Sequence, residues 1–420
     1  MPVFDKVTEP TYYKNFVCTA ADCIETCCGG WGNICIEEAT YRKYQRVEDP
    51  QFCQMAERYI VKTGDEKAAS EGKPYAVIAL QQGSCPFLLP EKLCYIQANF
   101  GESALSITCD MFPRSYNQCN ETLQRALDPS CPEAAKHILL NRQCIVFTEK
   151  VETANIRNKL LPGIDETAAE NVICQNFRRV QKKCIGLLQN RSYSLDDRLL
   201  LLSAFCENLD GFTGTEKTKA EFAACMEAWE NADLYPDLLQ KIKSSMQKNI
   251  SLQFEALHIL LNHSLQGDCT PVFKECVNIC RQGLQLKSEI LSSAWQQYEG
   301  AAALYEKKTD MHAYMLENYL VNMAFKDLFP VGAQINAFFD EQSIRRIHMI
   351  FVIKYTMVRL LMTGMAAHYK GRWNPGHVIK VIQSFEKTIG HNLNFLQQSV
   401  NFMDAADIKG LKGCNILLRR

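Results

Sequence analysis

The sequence predicts a mainly α protein, with an irregular cysteine-rich metallo-domain carrying a few short strands (residues 1–145) packed on an all-helical domain (residues 146–420). Three observations predict this. Beyond about residue 150, apolar residues recur at helical spacing with few strand signals. Before residue 145, loops punctuated by Gly and Pro carry twelve of the twenty cysteines. The 420 residues, 47% of them hydrophobic, suffice to bury a core without covalent staples.

Taken in order, residues 40–63 read as a helix. Residues 75–80 and 93–96 read as short strands on either side of Gly83-Ser84-Cys85-Pro86. Ser130, followed by Cys131, Pro132 and Glu133, reads as an N-cap for a helix running to about residue 140. Cys131 would then sit at the positive end of the helix dipole, which favours a thiolate. Further helices are expected over 171–189, 195–208, 218–231, 252–264, 271–286, 295–305, 311–329, 342–368 and 377–402, with loops at 209–214 and 371–375. The most apolar stretch, 349–367, approaches membrane-spanning length but carries Lys354 and Arg359. It reads as a buried helix of a bundle. Its two cations need partners, either structural acids or an anionic ligand.

With 46 basic and 47 acidic side chains, no global electrostatic footprint for nucleic acid or an anionic membrane exists. The first ten residues hold Asp5, Lys6 and Glu9 and no apolar run, so no secretory signal is read and the expected compartment is the cytoplasm. Thiols stay reduced there, and dense cysteines indicate metal or redox chemistry before disulfides. The eight cysteines beyond residue 145 sit mostly among apolar residues and read as core thiols. The informative set is Cys18, Cys23, Cys27 and Cys28, within eleven residues, joined from distant loops by Cys85, Cys94, Cys109 and Cys131. Turns can bring sulfurs from several segments to one point. Three readings compete: an iron–sulfur cluster held by four of the eight, one or more all-cysteine zinc sites, and inert or redox-active thiols. The spacing does not match the two-cluster ferredoxin run, and adjacent Cys27 and Cys28 need not serve the same centre.

The string Phe16-Val17-Cys18, Cys23, Cys27-Cys28-Gly29-Gly30-Trp31, Cys85-Pro86, Cys94, Cys109-Asp110-Met111-Phe112-Pro113-Arg114 and Cys131-Pro132 resembles the flagellin lysine-N-methylase family. So does the block Glu317-Asn318-Tyr319-Leu320-Val321-Asn322 with Phe325 and Phe329-Pro330. The resemblance implies transfer of methyl groups from S-adenosylmethionine to lysine ε-amines of flagellin in the cytoplasm, with a 4Fe–4S cluster involved; zinc is the alternative metal. No glycine-rich turn between a strand and a helix is found, so a nucleoside cofactor would be bound in another way. For that chemistry the metal candidates are the eight cysteines. The cofactor-binding candidates are Trp31, Arg114, Asn318 and Asn322, and the catalytic candidates are Glu317, Tyr319 and His391. Against these roles stand plain structural ones: Asn318 and Asn322 satisfying buried backbone groups, Tyr319 filling core, Arg114 tying down a loop. The runner-up function is a zinc- or iron-binding module that recognises a protein partner without catalysis.

Overall fold

The computed structural model describes residues 3–30, 34–63, 74–157, 161–213, 218–267, 269–286, 294–309, 312–332 and 343–420. Among the described residues, eight strands form two sheets: β1 (Val3–Pro10), β2 (Ile34–Ile36), β3 (Ile60–Lys62), β4 (Ala76–Ile78), β5 (Arg114–Cys119), β6 (Thr122–Leu127), β7 (Phe147–Asn155) and β8 (Gly163–Ile164). The larger sheet has the order β7-β1-β6-β5-β8, and the smaller has the order β2-β4-β3. β5 and β6 form an antiparallel hairpin whose turn holds Asn120 at φ 53°. Asparagine tolerates that left-handed conformation better than most residues. β1 pairs parallel with β6 and antiparallel with β7. The sheet therefore extends past residue 145 and ties Phe147–Asn155 and Gly163–Ile164 to the N-terminal part.

The segment between β1 and β5 is a small unit with its own core of Ile34, Ile36, Tyr44, Phe52, Tyr75, Phe87, Tyr95 and their neighbours. Phe52 is its hub, in ring contact with Tyr44, Phe87 and Phe100. The helix expected over 40–63 is in fact two helices, Glu38–Tyr44 and Pro50–Tyr59, followed by β3. Asp49 caps the second by accepting from the Phe52 amide at 2.6 Å, with Pro50 in its first turn. The strand expected at 93–96 is a single bridge, Leu88 with Cys94, running directly into the helix Tyr95–Phe100.

The remaining helices share one large core that also takes in Tyr12, Phe16, Leu127 and the helix Pro132–Leu139. Its axis is the helix Ile344–Tyr369, buried along twenty of its residues. The apolar window of this helix is wholly buried within the protein, as expected of a bundle core. The two cations on it find acids. Lys354 lies 3.0 Å from Glu386, and Arg359 lies 2.6 Å from Asp196.

Candidate functional site

The thiols are brought together by backbone pairing between short loops. The Gly30 amide donates to Gly83 O, the Cys85 amide to Cys28 O at 2.6 Å, and Gly29 bridges Ser84, so the Cys27-Cys28 loop lies against Cys85. The turn 85–94 closes through Leu89 N to Leu93 O and Tyr95 N to Phe87 O, both 2.8 Å, which sets Cys94 beside Cys85. Cys109 rides on the short helix Ile107–Met111, capped by Ser106. That helix is anchored by Arg157, which binds Asp110 and Glu37 at 3.1 Å each and Leu105 O at 3.0 Å.

The result is two adjoining cavities. An inner one of about 70 Å³ is lined by Cys27, Cys28, Cys85, Cys94 and Cys109. An outer one of about 400 Å³ is lined by Cys18, Cys23, Cys27, Cys28, Cys94, Cys109 and Cys131, together with Phe16, Arg114, Ser130, Glu133 and Lys387. All eight singled-out cysteines thus line one or both of these two adjoining cavities. Among the described residues, no three His, Cys, Asp or Glu side chains stand close enough to grip a single ion. The sulfurs are spread around a volume rather than gathered at a point.

Five of the thiols, Cys27, Cys28, Cys94, Cys109 and Cys131, are held protonated. Cys27 is raised chiefly by sharing a hydrogen bond with Cys28, and burial pushes Cys109 and Cys131 up to about 12. Ligation requires thiolates, so metal binding must displace those protons. Cys131 does stand at the N-terminus of the helix Pro132–Leu139, but it is itself the N-cap residue. Ser130 is not; its amide instead donates to Asp128 Oδ1 at 2.9 Å. The desolvation of the Cys131 thiol outweighs the helix end that favours a thiolate.

The outer cavity lies where the cysteine loops meet the helical part. Lys387 Nζ donates to Thr26 O at 2.9 Å and pairs with Glu25 at 3.1 Å, while Gly30, at φ +76°, packs on Thr270 and Lys387 with no room for a side chain. Arg114 places its guanidinium over the Phe16 ring at 5.4 Å and opens on the cavity. Sequence reasoning did not find Glu25 or Lys387, and it read Ser130 only as a helix cap. Lys387 is distant in the chain, and no local pattern marks it.

Other singled-out residues lie behind this wall. Glu317 is buried between Arg191 (2.8 Å) and Arg198 (2.7 Å); burial opposes its charge, but these arginines hold its carboxyl below the usual range. Asn318 Nδ2 donates to Asn141 O at 2.7 Å, and Asn322 Nδ2 donates to Leu127 O at 3.2 Å and bonds Tyr12 through Oδ1. Both therefore satisfy backbone carbonyls, that of Leu127 fully buried. Tyr319 is fully buried and donates to Glu386 at 2.5 Å. His391 lies 3.4 Å from Asp128; desolvation opposes protonation, but that carboxylate raises its pKa. None of these five lines either thiol cavity. Trp31 lies outside the described residues.

Similarity to known proteins runs along most of the chain. Residues 181–417 match the family model of the FliB lysine N-methylase C-terminal domain. Proteins named lysine-N-methylase from Salmonella choleraesuis and Salmonella typhimurium are each 23% identical over 407 residues, covering 92% of this chain and 92% of their own. A flagellar biosynthetic protein FliU of Salmonella muenchen is 31% identical over 146 residues, 34% of this chain and 83% of its own. No solved structure matches.

Proposed function

Because the chain belongs to the FliB lysine N-methylase family, we propose that it moves methyl groups from S-adenosylmethionine to lysine side chains of flagellin in the cytoplasm, at a thiol-lined cavity that holds an iron–sulfur cluster. The observation that carries this is the outer cavity itself: seven thiols, from segments up to 113 residues apart, around about 400 Å³ at the junction with the family's helical domain. Thiols spread around a volume match a multi-atom 4Fe–4S cluster, whose irons lie apart, better than a lone tetrahedral ion. Such a cluster, when bound, supplies a polarisable charged group beside the reacting centre.

The chain's own residues would do the rest. A lysine ammonium has no lone pair, so it must lose its proton before attack. Glu102 and Glu133 on the cavity wall are the carboxylates placed to take that proton, and the apolar sections of the wall desolvate the ammonium, which favours the neutral amine. Arg114 supplies a fixed cation for an anionic group on either reactant. Lys387, bound to Thr26 O and Glu25, keeps the cysteine loop seated against the helical part. Asp128, which holds Ser130 and pairs with Lys326 and His391, stiffens the opposite wall.

The test is iron, sulfide and zinc per chain on protein purified without oxygen, followed by the mass of flagellin after incubation with and without S-adenosylmethionine. Iron with equal sulfide, and mass gains in 14 Da steps that need the donor, are expected, roughly the mass of one CH₂ each. A colourless zinc protein that binds flagellin but leaves its mass unchanged would overturn the reading in favour of a binding module.

A further inference from the structure

One wall of the outer cavity has few attachments of its own. Residues 17–24 place Cys18, Thr19, Ala20 and Cys23 on that cavity. Both ends of the segment are fixed. Phe16 is buried in the large core under the Arg114 guanidinium, and at the far end Lys387 pairs with Glu25 and donates to Thr26 O. Between these anchors, the hydrogen bonds of the described residues stay local: Ala20 N to Cys18 Sγ at 3.4 Å, Asp22 N to Thr19 O at 3.0 Å, Cys23 N to Ala20 O at 3.1 Å and Cys23 Sγ to Glu25 O at 3.3 Å. The apolar side chains of the segment join none of the four buried clusters, and Val17 and Ile24 are 73% and 76% exposed. Ala20 stands at φ 48°, a left-handed conformation that disfavours any residue with a Cβ. A stretch with so few buried contacts belongs to the parts of a protein that open first.

What the segment brings to the cavity is two thiols. Cys131 lines the same cavity, and both thiols lie close enough to act electrostatically on its sulfur. Cys131 opens the helix Pro132–Leu139, whose Ala134, Ala135, Ile138 and Leu139 are fully buried in the large core. A thiolate-bound metal group shared by these three cysteines would therefore join a rigid helix to a segment that has no other attachment between its ends. Ligation orders the chain that carries the ligands, because the free energy of binding is spent on holding them together.

We propose that residues 17–24 form a strap latched by the metal group of the cage: ligation through Cys18 and Cys23 fastens the strap to Cys131 and its helix, and loss of the group releases the strap and opens the outer cavity. The latch rests on the reading above in one respect, that the cavity holds a thiolate-bound metal group. Each ligation replaces the thiol proton with a sulfur–metal bond, and the proton leaves to solvent. The wall that encloses the reacting lysine would then be complete only in the loaded protein, which ties access at the site to its metal.

The experiment is hydrogen exchange followed by mass spectrometry, on the full chain loaded without oxygen with iron and sulfide, on the same protein loaded with zinc, and on protein stripped by a chelator. Metal per chain is measured on each. Amides of residues 18–24 are expected to exchange roughly tenfold or more faster in stripped than in loaded protein, whereas the helix Leu195–Asp210, which lines neither thiol cavity, exchanges alike in both. Protection that needs iron and sulfide makes the cluster the latch; protection that returns with zinc alone makes it zinc. A Cys18→Ser, Cys23→Ser double variant, altered at one exposed and one half-buried position, is expected to show the fast strap even after loading through the other six cavity thiols. If that variant keeps its helix protection but retains no metal, Cys18 and Cys23 are ligands and the latch is supported. Equal strap exchange in loaded and stripped wild type, or wild-type protection in a loaded double variant, overturns it. A chain that loads but leaves its strap fast fails the latch alone; a chain that takes up neither metal fails the reading beneath it.

Discussion

Replacing Glu317 with Gln separates a structural from a catalytic role for the most acidic position of the Glu317–Asn322 block. The carboxylate is 2% exposed and is gripped by Arg198, itself 8% exposed, and by Arg191, 41% exposed. Removing one partner of a buried ion pair typically costs about 3–5 kcal/mol, because the other charge stays buried. Arg198 retains Leu188 O at 2.8 Å and Tyr193 O at 2.9 Å, which places the loss near the lower end, about 3 kcal/mol. The solvent-screened Arg191 pair adds less than about 1 kcal/mol. The pH dependence has a definite sign. Burial raises the Glu317 pKa but the arginines lower it further, so its folded value lies below the unfolded one. Its contribution is fully present above the ordinary carboxylate value of about 4.3 and disappears as pH falls through the depressed native value. The wild-type advantage over Glu317→Gln in urea midpoint should therefore be large at pH 7 and shrink in acid. An Arg198→Met, Glu317→Met double variant should recover much of the loss, since apolar replacement of a whole buried pair is often neutral. Methyl transfer per folded molecule should stay close to wild type. A Glu317→Gln protein with an unchanged urea midpoint and no methyl transfer would refute this reasoning and make the carboxylate catalytic.

Other outcomes follow from the cage. Cys109→Ser should lower iron retention on a desalting column, whereas Cys206→Ser, 1% exposed in the helical core, should leave it unchanged; equal retention in both would remove Cys109 from the ligand set. Gly30→Ala forces a side chain to 2.9 Å from Thr270 Cγ2 at a φ of +76°, and should cost about 1–3 kcal/mol. It should also expose the 18–28 loop to limited proteolysis, and an unaltered digest would show that this contact does not seat the loop. Lys387→Met keeps the apolar stem but removes the link to Thr26 O and Glu25, so iron should dissociate faster with little change in the far-ultraviolet spectrum.

The helical half was the more legible part of the sequence. Eight of its nine expected helices agree in position with those found, and Ser194, Thr218 and Thr270 cap helices where the pattern begins; the ninth, expected over 377–402, is instead Pro375–Phe385, the π turn Glu386–Gly390 and Leu393–Ala405, and Tyr235–Ser245 and Gly410–Leu418 were not expected. β1 and the β5–β6 hairpin were missed. Their turn uses Asn120 and Glu121 without glycine, and a strand buried between two others shows little alternation. The break in the supposed 40–63 helix was legible in Asp49-Pro50, a cap followed by a first-turn proline. For the site, the cysteine density announced a cage, but the order of its walls depends on backbone pairings such as Cys85 with Cys28, and these carry no side-chain signature. Glu317, Asn318 and Asn322 became candidates through the block that carries the family resemblance, which sets polar residues among apolar ones on one helix. That pattern arises equally from buried groups that must satisfy one another.

The five-residue π-helical turn Glu386–Gly390 joins these two halves of the site. Glu386 points inward, accepting from Tyr319 at 2.5 Å and from Lys354 at 3.0 Å, while the next residue, Lys387, reaches the cysteine loop. The wider turn allows neighbouring side chains to serve opposite directions, and such turns recur at functional sites. Gly390 is what leaves Glu386 its space: an added Cβ would collide with the carboxylate, coming 2.9 Å from its Cδ. A flexible end could swing aside, but this one is pinned by two buried partners, so Gly390→Ala should cost about 1–3 kcal/mol. Because the displaced turn also carries Lys387, the same substitution should speed iron loss from the cage, although it lies far from every cysteine in sequence. Iron retention equal to wild type in a destabilised Gly390→Ala protein would mean that the cage is seated independently of the helical core, and that Lys387 follows the loop rather than holding it.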